Sequence, residues 1–376
     1  MIPDERADIG IGMLGYAFMG KAHANAFRKL AYIAWPPPLE PHLVAVAGRD
    51  ERRVTEAAER YGFERAFTRW EELVDSSEIE LFDNVGPNNL HAAPTIAAAE
   101  AGKHVICEKP LGRDADESFE IWQRVAAAGV THMCAFNYRF VPAIALTRQM
   151  IAGGEIGAVR HFRAVYLQDW GADPNLDTWR FRADEAGSGA LGDLGSHVID
   201  LAHALVGEIG AVSAAVRAFM PGRSVDDAVS ATLEFTNGAI GTVEASRLAV
   251  GHRNALRFEI NGADGSVAFD LERLNELTVS RGDGRTTTIL VTEPGHPYVD
   301  LWWPPGHVIG WEHTFVHELD HLLRSIASST SVGPIGATLE DGYRAAEVCE
   351  ALAKSSKRGR REAVVYRTDA ALTHAR

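Results

Sequence analysis

The stretch LGYAFMGKAHANAF (residues 14–27) follows a short apolar run, IGIGML (9–14), and opens a helical pattern. It matches the dinucleotide-binding fingerprint G-x-G-x-x-G, except that Ala17 stands at the middle glycine. In that fingerprint the first glycine makes a tight turn, the last lets the helix pack on the strand, and the helix N-terminus offers N–H groups to a pyrophosphate. The stretch therefore predicts either a dinucleotide-binding turn with one added methyl group or a glycine-rich turn that binds nothing.

The first third of the chain alternates short apolar strands with helical patterns. Further strand patterns are LVAVAG (43–48), ELFDNVG (80–86), KHVICE (103–108) and THMCAF (131–136). Such alternation is typical of a doubly wound parallel sheet with right-handed crossovers. The fingerprint lies between the first strand and the first helix, which is where it must lie to bind a nucleotide. We therefore predict an α/β fold with an N-terminal Rossmann domain over residues 1–137.

The pattern changes after about residue 137. VRHFRAVYLQDW (159–170) predicts a long alternating strand, and GDLGSHVIDLAHALVG (192–207) predicts a helix. Between residues 211 and 291, strand-like runs are separated by the turn sequences TNG, NGADG and RGDG. We expect an α+β domain over residues 138–376 with a large, open, mainly antiparallel sheet. Its uncovered face is a candidate interface for a homodimer or homotetramer.

Composition limits the classes of partner. The 376 residues, 46% of them hydrophobic, are enough for two domains, and the net charge of −14 argues against duplex DNA or an anionic membrane as partner. The acidic start MIPDERADIG lacks the features of a signal peptide, and no apolar run reaches membrane-spanning length. The three cysteines are widely spaced and odd in number. We expect a cytoplasmic globular protein without nucleic-acid or membrane partners.

The end of the second strand bears on the choice of nucleotide. An NAD-binding Rossmann domain usually places an acid there, whereas this chain has Gly48 followed by Arg49. A small residue followed by arginine can accept a 2′-phosphate or stack on adenine. Alternatively, Arg49 simply starts the solvated face of the next helix. The choice between NAD and NADP stays open on the sequence.

Four segments carry a resemblance to a known family. They are IGMLGYAFMGKAHANAF, GPNNLHAAPTIAAAEAGKHVICEKPLG, FNYRFVPA and GSGALGDLGSHVIDL. Together they resemble the glucose–fructose oxidoreductase / inositol dehydrogenase (Gfo/Idh/MocA) family over essentially the whole chain. The similarity is most specific in the E-K-P and G-D-x-G-x-H segments. AVYLQDW, the Trp179–Arg180 pair and PPGHVIGWEHTF further resemble members that act on levoglucosan or at carbon 3 of sugars.

The resemblance implies a reaction and a cofactor. The reaction is NAD(P)-dependent oxidation of a hydroxyl group of a sugar, anhydrosugar or cyclitol, or the reverse reduction. The implied cofactor contacts are Gly15, Ala17, Phe18, Met19, Gly48, Arg49, Pro87, Asn88, His91, Glu108, Lys109 and Asn137. Asn88, His91 and Asn137 would serve equally well as caps of a helix or turn. The chain departs from the family at Ala17, usually glycine, and at Gly86, commonly threonine.

Lys109 is the first candidate catalytic residue. It follows a buried strand in CEKP (107–110), and ligands of parallel sheets bind at the carboxyl ends of strands. Hydride removal from a carbinol needs a donor that holds the developing alkoxide and a base that takes its proton. Lys109 suits the first role, and the family gives that lysine to the substrate and Glu108 to the cofactor. The alternative for Lys109 is an ordinary solvated lysine.

Asp193 and His197 are the other candidate catalytic residues. Their spacing of four places them on one face of a helix, at the margin of its apolar stripe. A histidine held by a carboxylate is a suitable general base near neutral pH, and the family has D-x-x-x-H at this place. The spacing alone also fits a helix-stabilising pair or two ligands of a metal that lacks a third. We predict that His197 is the base and that Asp193 orients it.

Polar residues after the long strand and in later loops are candidate sugar contacts. The full set of substrate candidates is Lys109, Gln168, Asp169, Arg180, Asp193, His197 and His313. A tryptophan would stack on the sugar ring. Trp302 and Trp303 are available for this role, although an oligomer contact explains exposed aromatic residues equally well.

The sequence HELDH (317–321) is a literal H-E-x-x-H, the zinc-peptidase signature in which Glu318 would be the base. The charged Asp320 lies beside the second histidine, and no third ligand follows at a recognisable spacing. We therefore expect no metal. A non-catalytic dinucleotide sensor is the remaining alternative; it would keep the fingerprint and have no need of an acid–base set.

Overall fold

The computed structural model describes residues 7–368, so the first six residues of the acidic start and residues 369–376 lie outside it. The chain forms two compact units. The first takes the chain up to Gly112, Glu117–Phe140 and Trp311–Gly342. The second takes Arg113–Asp116, Val141–Gly310 and the chain from Tyr343 onward. Among the described residues, no helix is long and apolar enough to cross a membrane.

The first part of the chain folds as a parallel α/β sheet. Its elements are β1 (Asp8–Leu14), α1 (Phe18–Ile33), β2 (Glu40–Ala47), α2 (Glu51–Tyr61), β3 (Arg65–Phe67), α3 (Glu71–Asp75), β4 (Leu81–Asn84), α4 (Ala92–Glu100), β5 (His104–Glu108), α5 (Ala115–Ala128) and β6 (His132–Ala135). The strand order is β3-β2-β1-β4-β5-β6, and every pair is parallel. This confirms the predicted Rossmann sheet. The order reverses between β1 and β4, where such sheets bind their ligands.

The rest of the chain supplies a second sheet and the last helices. The elements are α6 (Pro142–Ala152), β7 (Val159–Leu167), α7 (Ala183–Ala186), α8 (Ser196–Leu205), β8 (Ile209–Arg217), β9 (Ala228–Phe235), β10 (Ile240–Ser246), β11 (Ala255–Gly262), β12 (Gly265–Asp270), β13 (Glu276–Arg281), β14 (Thr286–Leu290), α9 (His313–Ala327), α10 (Leu339–Arg358) and β15 (Glu362–Ala363). The order is β14-β13-β12-β11-β7-β10-β9-β8-β15. β7 and β10 are parallel and the other pairs are antiparallel, which confirms the predicted open, mainly antiparallel sheet.

Burial follows the two sheet types. β1 is buried from its second residue to its last, because helices cover both faces of a parallel sheet. β9 instead alternates buried and exposed side chains, as expected for a sheet covered on one face. The exposed positions of β9 include Ser230, Thr232 and Glu234. The core of the second unit therefore lies on one side of its sheet.

The division into units differs from the expected boundary between residues 137 and 138. Residues 311–342, which the sequence suggested for the second domain, belong to the first unit. Their helix α9 packs on α1: Trp311 stacks on Phe18 with ring centroids 5.5 Å apart, and the Asn25 amide donates to the Glu312 carboxylate over 3.0 Å. Lys29 pairs with the same carboxylate. Packing between elements so far apart in the chain leaves no local sequence pattern, so the sequence does not indicate it.

Candidate active site

The turn after β1 has the geometry of a dinucleotide-binding loop. Gly15 has a φ of +105°, which a residue with a side chain adopts only with strain. A Cβ atom there would lie 2.8 Å from the Val85 carbonyl oxygen, because the turns after β1 and β4 meet at this point. Gly20 is equally constrained, since its Cβ would lie 2.6 Å from the Gly15 oxygen. Both outer glycines of the fingerprint are thus required by the fold.

The N-terminus of α1 has no side-chain cap. Ala17 is the N-cap residue and forms no side-chain hydrogen bond, so the first N–H groups of the helix depend on another partner. Ala17 is exposed, so its methyl group does not press against the protein backbone. Unsatisfied N–H groups at a helix N-terminus suit a pyrophosphate. The first unit therefore fits a dinucleotide at this end of the sheet.

The loop after β2 presents no carboxylate at Gly48 or Arg49. A Cβ atom on Gly48 would lie 2.1 Å from a ring carbon of Tyr16, so any larger residue there would require the Tyr16 ring to move. Arg49 is exposed, and Asp50 caps α2 by accepting from the Arg53 N–H over 3.0 Å. The carboxylate of this loop, Asp50, thus caps α2.

The loop after β4 is held by two buried side chains. The Asn84 amide donates to the Leu90 carbonyl and to the Thr95 hydroxyl, each over 2.9 Å. His91 is fully buried, with Nδ1 2.8 Å from the Pro110 carbonyl oxygen and Nε2 3.1 Å from the Gly86 oxygen. Burial lowers the pKa of His91. His91 therefore joins the loop after β4 to the one after β5, with both ring nitrogens facing backbone carbonyls.

Glu108 and Lys109 lie at the carboxyl end of β5. Glu108 is buried, and its carboxylate accepts from the Lys109 backbone N–H over 3.1 Å. Its other oxygen lies 3.3 Å from Nε2 of the fully buried His23, whose Nδ1 contacts Asp83 at 3.0 Å. Burial alone would lower the pKa of His23, but the Asp83 and Glu108 carboxylates raise it well above its usual value. A buried cation thus fixes Glu108, whereas the Lys109 side chain is only half-buried.

The remaining candidates of the first unit lie near α9. The Asn137 amide donates to the Thr314 hydroxyl over 2.9 Å, which ties the loop after β6 to this helix. His313 is the first residue of α9 and is half-buried, so the structure places it in the unit with the Rossmann sheet. Asn88 is buried and follows Pro87 in the loop after β4. Phe18 is 64% exposed at the start of α1.

The HELDH segment forms part of α9, and hydrogen bonds within the protein engage its histidines. His317 is fully buried with Nδ1 2.9 Å from the Phe140 carbonyl oxygen, and His321 Nε2 lies 2.7 Å from the Val332 oxygen. Asp320 binds Arg324 on the next helical turn. Within residues 7–368, no group of three potential ligands is arranged to hold a metal. The segment supports the packing of α9 against neighbouring loops.

The helix that carries Asp193 and His197 is irregular. The predicted helix begins with a π-helical turn over Leu191–Gly195, ahead of α8; such turns are frequent at functional sites. The half-buried Asp226 carboxylate accepts from the N–H groups of Gly189 and Leu191, each over 2.7 Å, and so fixes the start of the turn. His197, on α8, is 5% exposed.

The Asp193 carboxylate has a partner that the sequence did not suggest. Arg247 Nη2 donates to Asp193 Oδ2 over 2.9 Å. The His197 ring packs edge-on to Tyr166, with centroids 5.7 Å apart. The Asp193 carboxylate is therefore bound to the Arg247 guanidinium group.

The loop after β7 gathers the other substrate candidates. Gln168 accepts from the Trp170 indole N–H over 2.6 Å and donates to Asn254 over 2.7 Å. Asp169 pairs with Arg253 at 3.1 Å. The Arg180 guanidinium stacks on Trp179, 4.5 Å from the ring centre. The second unit thus brings Gln168, Asp169, Arg180, Asp193 and His197 into one region of linked contacts.

Sequence reasoning missed several residues of these networks. An aspartate inside a buried strand needs a partner, so Asp83 in ELFDNVG could have prompted a search for a residue such as His23. Arg247 gave no comparable signal, because its neighbours come from distant parts of the chain.

Comparisons with known proteins show the family of this chain. Residues 9–136 match the family model described as an oxidoreductase family with an NAD-binding Rossmann fold, and residues 144–268 match the GFO/IDH/MocA C-terminal domain. Levoglucosan dehydrogenase of Pseudarthrobacter phenanthrenivorans is 40% identical over 93% of this chain and 96% of its own length. Inositol 2-dehydrogenase of Rhizobium meliloti is 26% identical over 92% of this chain and 96% of its own length.

A solved structure is similar over nearly the full length as well. The structure of levoglucosan dehydrogenase in complex with NADH and L-sorbose superposes with a TM-score of 0.93 at 41% identity, covering 96% of this chain and 100% of that one. The chain therefore belongs to the Gfo/Idh/MocA family of NAD-binding oxidoreductases.

Proposed function

We propose that this protein is a dehydrogenase that oxidises a ring hydroxyl group of levoglucosan or a closely similar anhydrosugar. The observation that carries the proposal is 40% identity to levoglucosan dehydrogenase over 96% of that protein's length. The second unit supports it independently. Its linked amide, carboxylate and guanidinium groups are of the kind that bind sugar hydroxyls, and the half-buried Trp179 indole is of the kind that stacks on a sugar ring.

The residues present fit a nicotinamide dinucleotide. The turn at Gly15 and the uncapped N–H groups of Ala17, Phe18 and Met19 would hold the pyrophosphate. When bound, the nicotinamide supplies the hydride acceptor. We propose NAD as the working cofactor, because the related structure contains NADH, and NADP as a tolerated one, because Gly48 and Arg49 offer no carboxylate that would repel a 2′-phosphate.

The other residues that we propose to contact the cofactor lie at the carboxyl ends of β4, β5 and β6. Glu108, fixed by His23, binds on the ribose and nicotinamide side. Pro87 and Asn88 line the loop after β4, Asn137 follows β6, and His91 acts by holding two of these loops together.

Each catalytic candidate receives one role. Lys109 donates a hydrogen bond to the substrate oxygen and stabilises the negative charge that develops there as the carbon loses its hydride. His197 accepts the hydroxyl proton. Asp193 orients the His197 imidazole. Gln168, Asp169, Arg180 and His313 bind the remaining hydroxyl groups.

A substrate panel tests the proposal. Purified protein is assayed for NADH or NADPH formation with levoglucosan, monosaccharides, disaccharides and inositols. We expect the highest kcat/KM with levoglucosan and NAD. Turnover of inositols alone would contradict the anhydrosugar assignment, and turnover of none of these compounds would contradict the function.

We also propose that the protein is a cytoplasmic homo-oligomer that associates through the exposed face of the second sheet. This face carries small hydroxyl side chains such as Ser230 and Thr232, so a second sheet could approach it closely. The three cysteines are thiols, which fits a reducing compartment. Light scattering gives the mass in solution, and the variant Thr232→Arg is expected to dissociate the oligomer.

A further inference from the structure

Arg247 is a buried arginine that joins several substrate candidates of the second unit. The residue is 1% exposed. Its Nη2 donates to Asp193 over 2.9 Å, and its Nη1 donates to the Arg180 carbonyl oxygen over 3.2 Å. The guanidinium group lies 4.9 Å from the centre of the Trp170 ring. One side chain therefore contacts the turn that carries Asp193 and both ends of the loop 168–182.

The sheet topology puts Arg247 in this position. It follows β10, which runs parallel to β7, so the ends of the two strands lie side by side. The backbone N–H of Gln168 donates to the Ser246 carbonyl over 2.8 Å, and the backbone N–H of Gly171 donates to the Arg247 carbonyl over 3.0 Å. A Cβ atom at Gly171 would lie 2.9 Å from Arg247, so the loop passes tightly over the arginine backbone.

The loop is also packed by aromatic rings. Trp170 stacks on Phe181 with centroids 5.5 Å apart and an interplanar angle of 17°. Trp170 in turn donates to Gln168. Because Arg247 contacts Trp170 and the Arg180 carbonyl, it fixes both Gln168 at the start of this loop and Arg180 near its end.

We propose that Arg247 is a positioning residue for sugar binding: it holds Asp193, Gln168 and Arg180 in one arrangement that matches the hydroxyl groups of the substrate. This inference rests on the proposed function. The Asp193–Arg247 pair joins opposite charges, so the cluster is suited to an uncharged polyol rather than to an anionic sugar acid.

Arginine is the residue that this geometry needs. Its planar guanidinium donates in two directions at once and stacks on an indole ring, whereas a lysine ammonium is a compact charge that cannot do both. Methionine would keep the apolar length but leave a partly buried carboxylate without its cation. We therefore expect Arg247→Lys to weaken sugar binding less than Arg247→Met does.

The chain offers a matched control in Arg223. The mostly buried side chain of Arg223 pairs with Asp227 at 3.0 Å, and its guanidinium lies 3.7 Å from the Phe181 ring centre. It belongs to the same unit and also contacts the loop 168–182, through Phe181 and the Asp173 carbonyl oxygen, but its ion pair is with Asp227 rather than Asp193, so it controls for general packing of the loop. Arg223→Met should cost stability, as Arg247→Met does, without the same effect on sugar binding.

The experiment compares wild type with Arg247→Met, Arg247→Lys and Arg223→Met. For each protein it measures the KM for levoglucosan, the KM for NAD, kcat and the melting temperature. The best substrate of the panel is assayed as a second sugar. For Arg247→Met we expect the sugar KM to rise about tenfold or more, as for the loss of charge-assisted hydrogen bonds, and the KM for NAD to stay within about twofold. Arg247→Lys should show an intermediate rise. Arg223→Met should leave the sugar KM within about twofold.

The possible results distinguish a failure of the role proposed for Arg247 from a failure of the proposed function. An unchanged sugar KM in Arg247→Lys or Arg247→Met, with wild type active, contradicts the inference alone. Equal rises in Arg247→Met and Arg223→Met contradict it too, because they indicate a general loss of packing. If Arg247→Met does not fold, Arg247→Lys decides. Absence of turnover by wild type contradicts the proposed function and the inference with it.

Discussion

At the scale of single residues, Glu108 and Lys109 are neighbours in the chain with different surroundings. Glu108 is buried and fixed by the buried cation of His23, which also contacts Asp83. Lys109 is half-buried at the carboxyl end of the strand. A fixed carboxylate suits a cofactor contact that must not move, and a more exposed ammonium group suits contact with a substrate. The proposed roles follow this difference.

The roles proposed for Lys109 and His197 predict different kinetic defects. Lys109→Ala should lower kcat by about a hundredfold or more, as expected when a donor to the transition state is lost. Binding of NADH, followed by fluorescence, should persist because the pyrophosphate turn is a separate feature. His197→Ala should also slow oxidation and remove the near-neutral inflection from the profile of kcat/KM against pH.

The exposed Lys21 provides a control, since Lys21→Ala should leave kcat unchanged. If His197→Ala keeps the wild-type pH profile, His197 is not the base. If Lys109→Ala changes only the KM for NAD, Lys109 does not act on the reacting oxygen.

The residue scale also shows where sequence reasoning reached its limit. The turn glycines and the strand-end Glu108 and Lys109 were predictable, because a motif at a strand end has a defined physical purpose. Arg247 was not, because its neighbours come from the loop after β7 and from the turn around Asp193, which are distant from it in the chain. The contacts of α9 with α1 were not predictable for the same reason.

At the scale of elements, the turn between β1 and α1 depends on the backbone at Gly15. Gly15→Ala should abolish NADH binding or reduce it by about a hundredfold, because the added Cβ would collide with the Val85 carbonyl and displace the turn. Gly102→Ala is the matched control: Gly102 also has a positive φ, of +82°, but nothing lies within 4 Å of its Cβ position.

Fluorescence titration with NADH measures the effect in both variants. Gly102→Ala should bind NADH as wild type does and lose about 1 kcal/mol of stability, the usual cost of a side chain in this conformation. Equal NADH affinities in the two variants would show that the turn tolerates displacement.

Helix α9 carries a buried neutral histidine that makes the protein sensitive to acid. Burial lowers the pKa of His317 to about 3, against 6.5 for an ordinary histidine. Below pH 6.5 the unfolded chain binds a proton that the folded chain rejects, so the free energy of unfolding falls as the pH drops towards 3. The loss is about 2 kcal/mol between pH 7 and 5, at about 1.4 kcal/mol per pH unit.

The variant His317→Asn removes this group while keeping an N–H donor for the Phe140 carbonyl. We expect it to be less stable than wild type at pH 7 and the difference to shrink as the pH falls, in urea unfolding at several pH values. The exposed His307→Asn is the control and should give a constant difference. A constant difference for His317→Asn as well would show that His317 ionises alike in both states.

At the scale of the whole molecule, the chain combines a parallel nucleotide-binding sheet with a mainly antiparallel sheet that carries the sugar-binding candidates. Alternation of strands and helices predicted the first sheet, and closely spaced turn sequences predicted the second. Local sequence patterns could not predict that β7 pairs in parallel with β10 inside an otherwise antiparallel sheet. This pairing brings Gln168 and Arg247 together.

The central claim is that this protein removes a hydride from a ring carbon of an anhydrosugar and passes it to NAD. The most direct measurement uses levoglucosan deuterated at its carbon atoms, with mass spectrometry of the NADH formed and of the sugar product. We predict one deuteron on the nicotinamide for each ketone formed, together with a slower turnover than with ordinary levoglucosan. NADH without deuterium, or a product that keeps all its deuterons, would contradict the account.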